Sequence, residues 1–218
     1  MILGIGIIVY AIVMIVHLLM CYIENEVIRK ITKPLLMLIL LVTSIIYGYR
    51  TNHYLPLLYV AISLGLAGDV LLIFDNNRVI FGLGGVTFFF GHIFYIVQMI
   101  NLLSFSIKWY FYLILFVVLI GWCIFITPRL KKNLSFLALP CSIYSFILLF
   151  GVVIGITSFF TNFSVYNVML ICGFLLFIIS DTILVISVFY KNRARYHFYL
   201  MMPYIVAQAL LAYGILLR

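Results

Sequence analysis

Residues 64–74, LGLAGDVLLIF, and residues 174–189, FLLFIISDTILVISVF, each set one aspartate, Asp69 and Asp181, deep inside an apolar run. Around them the chain reads as almost continuous membrane-spanning helix. An acidic side chain at the centre of a membrane helix costs roughly 2.5 to 3.5 kcal/mol on insertion scales, so two of them predict a polar interior site or a water-filled cavity. The other three acids, Glu24, Glu26 and Asp75, fall between apolar runs, where a charge is cheap.

With 67% hydrophobic, 17% aromatic and only 8% charged residues, the composition lies far outside soluble-domain norms. It predicts an all-α polytopic membrane protein, with residues 1–218 forming a single transmembrane helical domain. At about 20 residues per span, eight helices are expected, at 2–22, 34–49, 55–74, 80–100, 109–127, 134–158, 165–190 and 198–217. The first is read as a retained helix rather than a secretory signal, because no Lys or Arg precedes it and no small-residue cleavage site follows it.

The net charge of +8 does not form the contiguous basic stripe of a nucleic-acid binder, so no nucleic-acid partner is expected. It reports topology instead. Loops after the first, third, fifth and seventh spans hold Arg29, Lys30, Lys33, Arg78, Arg129, Lys131, Lys132, Lys191, Arg193 and Arg195, whereas the opposite side has only Arg50, Lys108 and Arg218. This ten-to-three bias predicts that the odd loops are cytoplasmic and both termini outside. The cysteines Cys21, Cys123, Cys141 and Cys172 are scattered singly, with no CxxC or His/Cys cluster, and read as small packing residues.

Asp69 and Asp181 fall in the third and seventh expected spans, each after a small residue (Gly68, Ser180) and before an aliphatic run ending in Phe (Phe74, Phe189). His92 and Tyr204 each lie 23 positions after an aspartate. An even number of spans separates the two acids, as in a parallel four-plus-four duplication. With the odd loops inside, Asp69 sits about a turn and a half, and Asp181 about two and a half turns, from the cytoplasmic helix ends, at about 5.4 Å per turn. His92, Tyr95, Tyr204 and Gln208 enter from the same side. Phe88, Gly91, His92 and Tyr95 share one stripe by i, i+3, i+4, i+7 spacing, and Tyr204 and Gln208 are an i, i+4 pair. A polar pocket in the cytoplasmic half of the bundle is the expectation.

Blander readings stand beside this one. A lone intramembrane carboxylate can be purely structural, hydrogen-bonded to a neighbouring helix, although two at matching depth weaken that reading. A histidine donating to a backbone carbonyl is satisfied as a packing residue. Tyr95, Tyr144 and Tyr204 belong to a chain with sixteen tyrosines, so none is singled out by type alone. Gln208 carries more weight, since amides within spans pair across helices. Gly82, Gly84, Gly85 and Gly91 lack the following GK[ST] of a phosphate loop and read as helix-packing positions. His17, His53 and His197 lie near expected helix ends and are given no chemical role.

Taken together, these residues resemble the YhhN family of eight-span membrane proteins, whose animal members are lysoplasmalogenases. The matching pieces are Lys33-Pro34 opening the second span, Gly68-Asp69 followed by a Leu pair, Phe88, Gly91, His92 and Tyr95 in the fourth span, Ser180-Asp181, and Tyr204 with Gln208. Their order and spacing carry the likeness over essentially the whole chain. Thr182-Ile183 after the second aspartate and the uncharged loop at 158–165 depart from it.

The resemblance implies hydrolysis of the vinyl ether of a 1-alkenyl lysophospholipid to a fatty aldehyde and a glycerophospho-alcohol. Cleavage requires a proton on the outer vinyl carbon, giving an oxocarbenium-like centre that water attacks; paired carboxyls on glycosides do comparable work. Asp69 and Asp181 are then the catalytic pair. His92, Tyr95, Tyr144, Tyr204 and Gln208 would orient water or the carboxyls, while Lys33, Arg29 or Arg193 at the rim would hold the lipid phosphate. No metal and no cofactor are expected, since protonating carbon calls for a Brønsted acid. Two other functions remain open at this level: an intramembrane aspartyl protease, whose GxGD signature fails at Leu66-Ala67-Gly68-Asp69, and a proton- or cation-coupled transporter. The strongly apolar, isoleucine-rich, minimal chain points to a bacterial cell membrane.

Overall fold

The computed structural model describes residues 2–74, 78–102, 138–161, 163–189 and 195–218, with single positions between 113 and 124. Long helices account for them: α1 (Ile2–Tyr22), α2 (Glu26–Thr51), α3 (Pro56–Leu71), α4 (Arg78–Leu102), α5 (Ala138–Thr161), α6 (Val165–Phe189) and α7 (Tyr196–Leu216). A 3₁₀ turn, Leu72–Phe74, closes α3. No strand occurs among the described residues. In hydrocarbon every backbone N–H and C=O must find a partner inside the chain, which favours uninterrupted helix. All seven described spans are long and apolar enough to cross a bilayer. The chain is an integral, multi-pass, all-helical membrane protein.

Seven of the eight expected spans are present as helices; the fifth, at 109–127, falls outside the continuously described residues. One boundary needs correction. The second span was expected to open at Pro34, but α2 begins at Glu26, so Lys33 and Pro34 lie two turns inside it. Hydropathy sees only the apolar part, whereas the start is set by local chemistry. The Asn25 side chain caps the helix by accepting from Ile28 N at 3.1 Å, and Glu26 and Lys30 form an i, i+4 ion pair at 2.5 Å. Pro34 in α2 and Pro203 in α7 each lack an N–H, which frees the carbonyl four residues earlier.

The bundle is organised around α7. About 61% of its apolar window is buried, against 17% for α1, and it meets α1, α2, α3, α4 and α6. Its start is clamped from the α1–α2 turn: the Arg195 backbone N–H donates to Glu24 Oε1 at 3.0 Å, and the Arg195 guanidinium lies 4.2 Å from the Tyr22 ring centroid. Tyr10 of α1 donates to the Ile205 carbonyl at 2.8 Å. His17 binds α1 to α2 through Thr32 Oγ1, 2.7 Å from its Nδ1.

Small residues let helices approach where side chains would hold them apart. A Cβ on Gly91 would lie 3.3 Å from the Ala61 carbonyl, between α4 and α3, and one on Gly173 would lie 3.3 Å from the Ala207 carbonyl, between α6 and α7. Gly84 also packs closely, against Leu72, whereas Gly82 and Gly85 meet nothing within 4 Å among the described residues. Of the four glycines read as packing positions in the sequence, Gly84 and Gly91 are seen to pack closely.

Candidate active site

The sequence candidates gather into two neighbouring clusters. Asp69, fully buried near the end of α3, forms the first. Its Oδ2 accepts from the Tyr204 hydroxyl at 2.8 Å, and its Oδ1 lies 3.3 Å from Lys33 Nζ. The network continues: Gln208 Nε2 donates to the Tyr204 oxygen at 3.4 Å, and Tyr95 donates to Gln208 Oε1 at 2.9 Å. Four helices, α2, α3, α7 and α4, thus meet through one polar chain. The Lys33 ammonium also sits 6.0 Å from the Tyr204 ring centroid. Expected to face a lipid phosphate, Lys33 has its Nζ against Asp69.

His92, Tyr144 and Asp181, from α4, α5 and α6, form the second cluster. His92 Nδ1 is 2.7 Å from the Phe88 carbonyl and 3.4 Å from the Tyr144 hydroxyl. The Tyr144 hydroxyl interacts electrostatically with the Asp181 carboxyl. No ion pair to Asp181 forms among the described residues. Among the described residues, no hydrogen-bond partner meets the enclosed Asp181 Oδ2 or His92 Nε2.

Phe177, fully buried on α6, stands between the two clusters. Its ring is edge-on to His92 at a centroid distance of 4.3 Å and to Tyr204 at 5.6 Å. Phe88 meets Tyr204 from another side at 5.8 Å. Sequence reasoning passed over Phe177, although its place four residues before Asp181 puts it on the same helix face. Four residues before Asp69, the corresponding position is Gly65, and there Met37 and the Gln208 amide fill the space: a Cβ on Gly65 would lie 2.7 Å from Met37 Cε and 3.2 Å from Gln208 Nε2.

The equal spacing of His92 and Tyr204 from the two aspartates is realised crosswise. Tyr204, 23 residues after Asp181, bonds Asp69; His92, 23 residues after Asp69, joins the Tyr144–Asp181 cluster. The residues before the aspartates pair instead within their own halves, at one common interval of 20 residues. Gly68 abuts the Phe88 ring, which a Cβ would approach to 2.7 Å, and Ser180 donates to the Leu200 carbonyl at 3.1 Å. Phe88 and Leu200 are separated in sequence by the same interval as the two aspartates.

The YhhN family model matches residues 28–215. The chain belongs to the YhhN family. Both aspartates, His92, Tyr95, Tyr144, Tyr204, Gln208 and Lys33 lie inside the segment matched to the YhhN family, which begins after α1. No curated protein and no solved structure matches the chain. Among the described residues, no group of three or more His, Cys, Asp and Glu side chains converges as ion ligands would.

Proposed function

We propose that this YhhN protein is a membrane hydrolase that cleaves the vinyl ether of a 1-alkenyl lysophospholipid, releasing a fatty aldehyde and a glycerophospho-alcohol. Family membership supports the reading, and one observation carries it: two intramembrane carboxyls in unlike settings, Asp69 against a lysine and Asp181 without one among the described residues. An acid and an ionised partner held apart by their surroundings is the arrangement that protonation of an electron-rich alkene requires.

Asp181, beside the neutral Tyr144 hydroxyl and with no cation among the described residues, is assigned the proton. It delivers that proton to the outer vinyl carbon, and positive charge develops on the carbon bonded to the ether oxygen. Asp69, ion-paired to Lys33 and bound by Tyr204, is the fixed negative charge that stabilises the cation. Water adds to the cationic carbon, and the resulting hemiacetal collapses to aldehyde and alcohol. Tyr95 and Gln208 hold Tyr204, and so Asp69, in place.

The crosswise pairing supports a four-plus-four repeat, and the loop charges support termini outside and a pocket reached from the cytoplasmic face of a bacterial membrane. Arg29 would then lie at the entrance for the lipid phosphate. Purified protein in detergent, offered 1-alkenyl-glycerophosphoethanolamine, releases aldehyde and glycerophosphoethanolamine in equal amounts with no ion gradient. Activity that requires sealed vesicles, or no product at all, would favour the transporter.

A further inference from the structure

The reaction proposed above sheds two protons in turn, one as water adds and one as the hemiacetal collapses, and the Asp181 carboxylate receives the second. As water adds to the oxocarbenium carbon it must lose a proton, and the Asp69 oxygens already face Lys33 and the Tyr204 hydroxyl. His92 supplies an acceptor. A carbonyl oxygen only accepts, so the 2.7 Å contact with Phe88 O places the ring hydrogen on Nδ1. In the neutral ring Nε2 then carries a lone pair, and that atom, on a side chain only 1% exposed, has no partner among the described residues.

A buried acceptor left unpaired costs free energy unless a ligand or water meets it. The other enclosed, unpartnered atom of this cluster is Asp181 Oδ2, on the residue assigned the proton, and Tyr144 contacts both residues. The ring itself is fixed: Phe88 O holds its Nδ1 edge, and Phe177 meets it edge-on at 4.3 Å. A fixed imidazole lone pair and a carboxyl that share Tyr144 as a neighbour are the two kinds of group that hydration of an alkene uses.

We propose that His92 holds the attacking water and takes its proton, an assignment that rests on the vinyl-ether hydrolase reading. The Asp181 carboxyl proton moves to the outer vinyl carbon, and the C=C electron pair forms the new C–H bond. The water oxygen bonds to the cationic carbon and its proton passes to His92 Nε2, giving a neutral hemiacetal. The hemiacetal hydroxyl then returns a proton to the Asp181 carboxylate while the C–O bond to glycerol breaks. The leaving oxygen takes the proton from His92. One water is consumed, and both side chains end as they began.

Two measurements test this on the purified full-length protein with 1-alkenyl-glycerophosphoethanolamine. In the resting protein, nitrogen NMR of 15N-histidine, assigned with His92→Gln, finds the hydrogen of His92 on Nδ1. His92→Gln lowers kcat by roughly 100-fold or more with KM unchanged, since an amide can hold water but cannot accept its proton. A resting ring with its hydrogen on Nε2 overturns the assignment, and so does a folded His92→Gln protein within threefold of wild type. If wild type itself releases no aldehyde, the hydrolase reading fails, and this assignment goes with it.

Discussion

The two aspartates differ in what surrounds them more than in how deep they lie. Asp69 is wired into the fold: lysine on one oxygen, tyrosine on the other, and a glutamine and a second tyrosine behind. Asp181 has the Tyr144 hydroxyl as its polar neighbour, and its enclosed Oδ2 has no hydrogen-bond partner among the described residues. The bundle puts Gly65 and the Gln208 amide on the Asp69 side where the Asp181 side has Phe177. Unequal surroundings can hold two chemically identical groups in different working states.

The largest effect expected is at the open carboxyl. Asp181→Asn should lower hydrolysis by on the order of 10²- to 10⁴-fold, because an amide has no proton to give to carbon. Thermal stability should scarcely change, since the amide can still bond Tyr144. Asp69→Asn also removes activity, and combining the two should cost no more than the worse single change, because residues acting as a unit are not additive. Near-wild-type turnover in Asp181→Asn would equalise the two sites and end the comparison.

Next is the ion pair. Lys33→Met leaves a buried carboxylate without its cation and should destabilise the protein by about 3–5 kcal/mol. Adding Asp69→Asn should recover much of that loss without restoring turnover. Denaturation of the single and double variants in one detergent measures the coupling; no recovery in the double variant would mean that Lys33 stabilises the bundle by some route other than Asp69.

How much of this was legible in the sequence depends on the kind of signal. Asp69 and Asp181 stood out because a charge inside an apolar run is costly wherever the helices end up. The equal spacing of His92 and Tyr204 was also visible, but not that each serves the opposite aspartate, since helix order in space is not written in any local pattern. The Lys33–Asp69 pair was hidden for a different reason. Hydropathy placed Lys33 in a loop, while the Asn25 cap and the Glu26–Lys30 pair draw it two turns into α2, within reach of α3. Phe177 looked like one more core aromatic, and only its packing against both His92 and Tyr204 gives it a place.

A smaller effect sharpens the contrast. Tyr204→Phe removes the hydroxyl bonded to Asp69 and should cost about 1.5–3 kcal/mol, the usual value for a hydrogen bond to a charged group. Tyr144→Phe, whose hydroxyl faces the carboxyl assigned the proton, should cost less stability, about 0.5–1.5 kcal/mol. Equal losses in parallel melts would argue that the two carboxyls are in the same state.

That state can be read directly. Infrared spectroscopy of the purified protein near neutral pH should show the carbonyl stretch of a protonated carboxyl, present in wild type and Asp69→Asn and missing from Asp181→Asn. A band that persists in Asp181→Asn and disappears in Asp69→Asn would reverse the two roles and contradict the account.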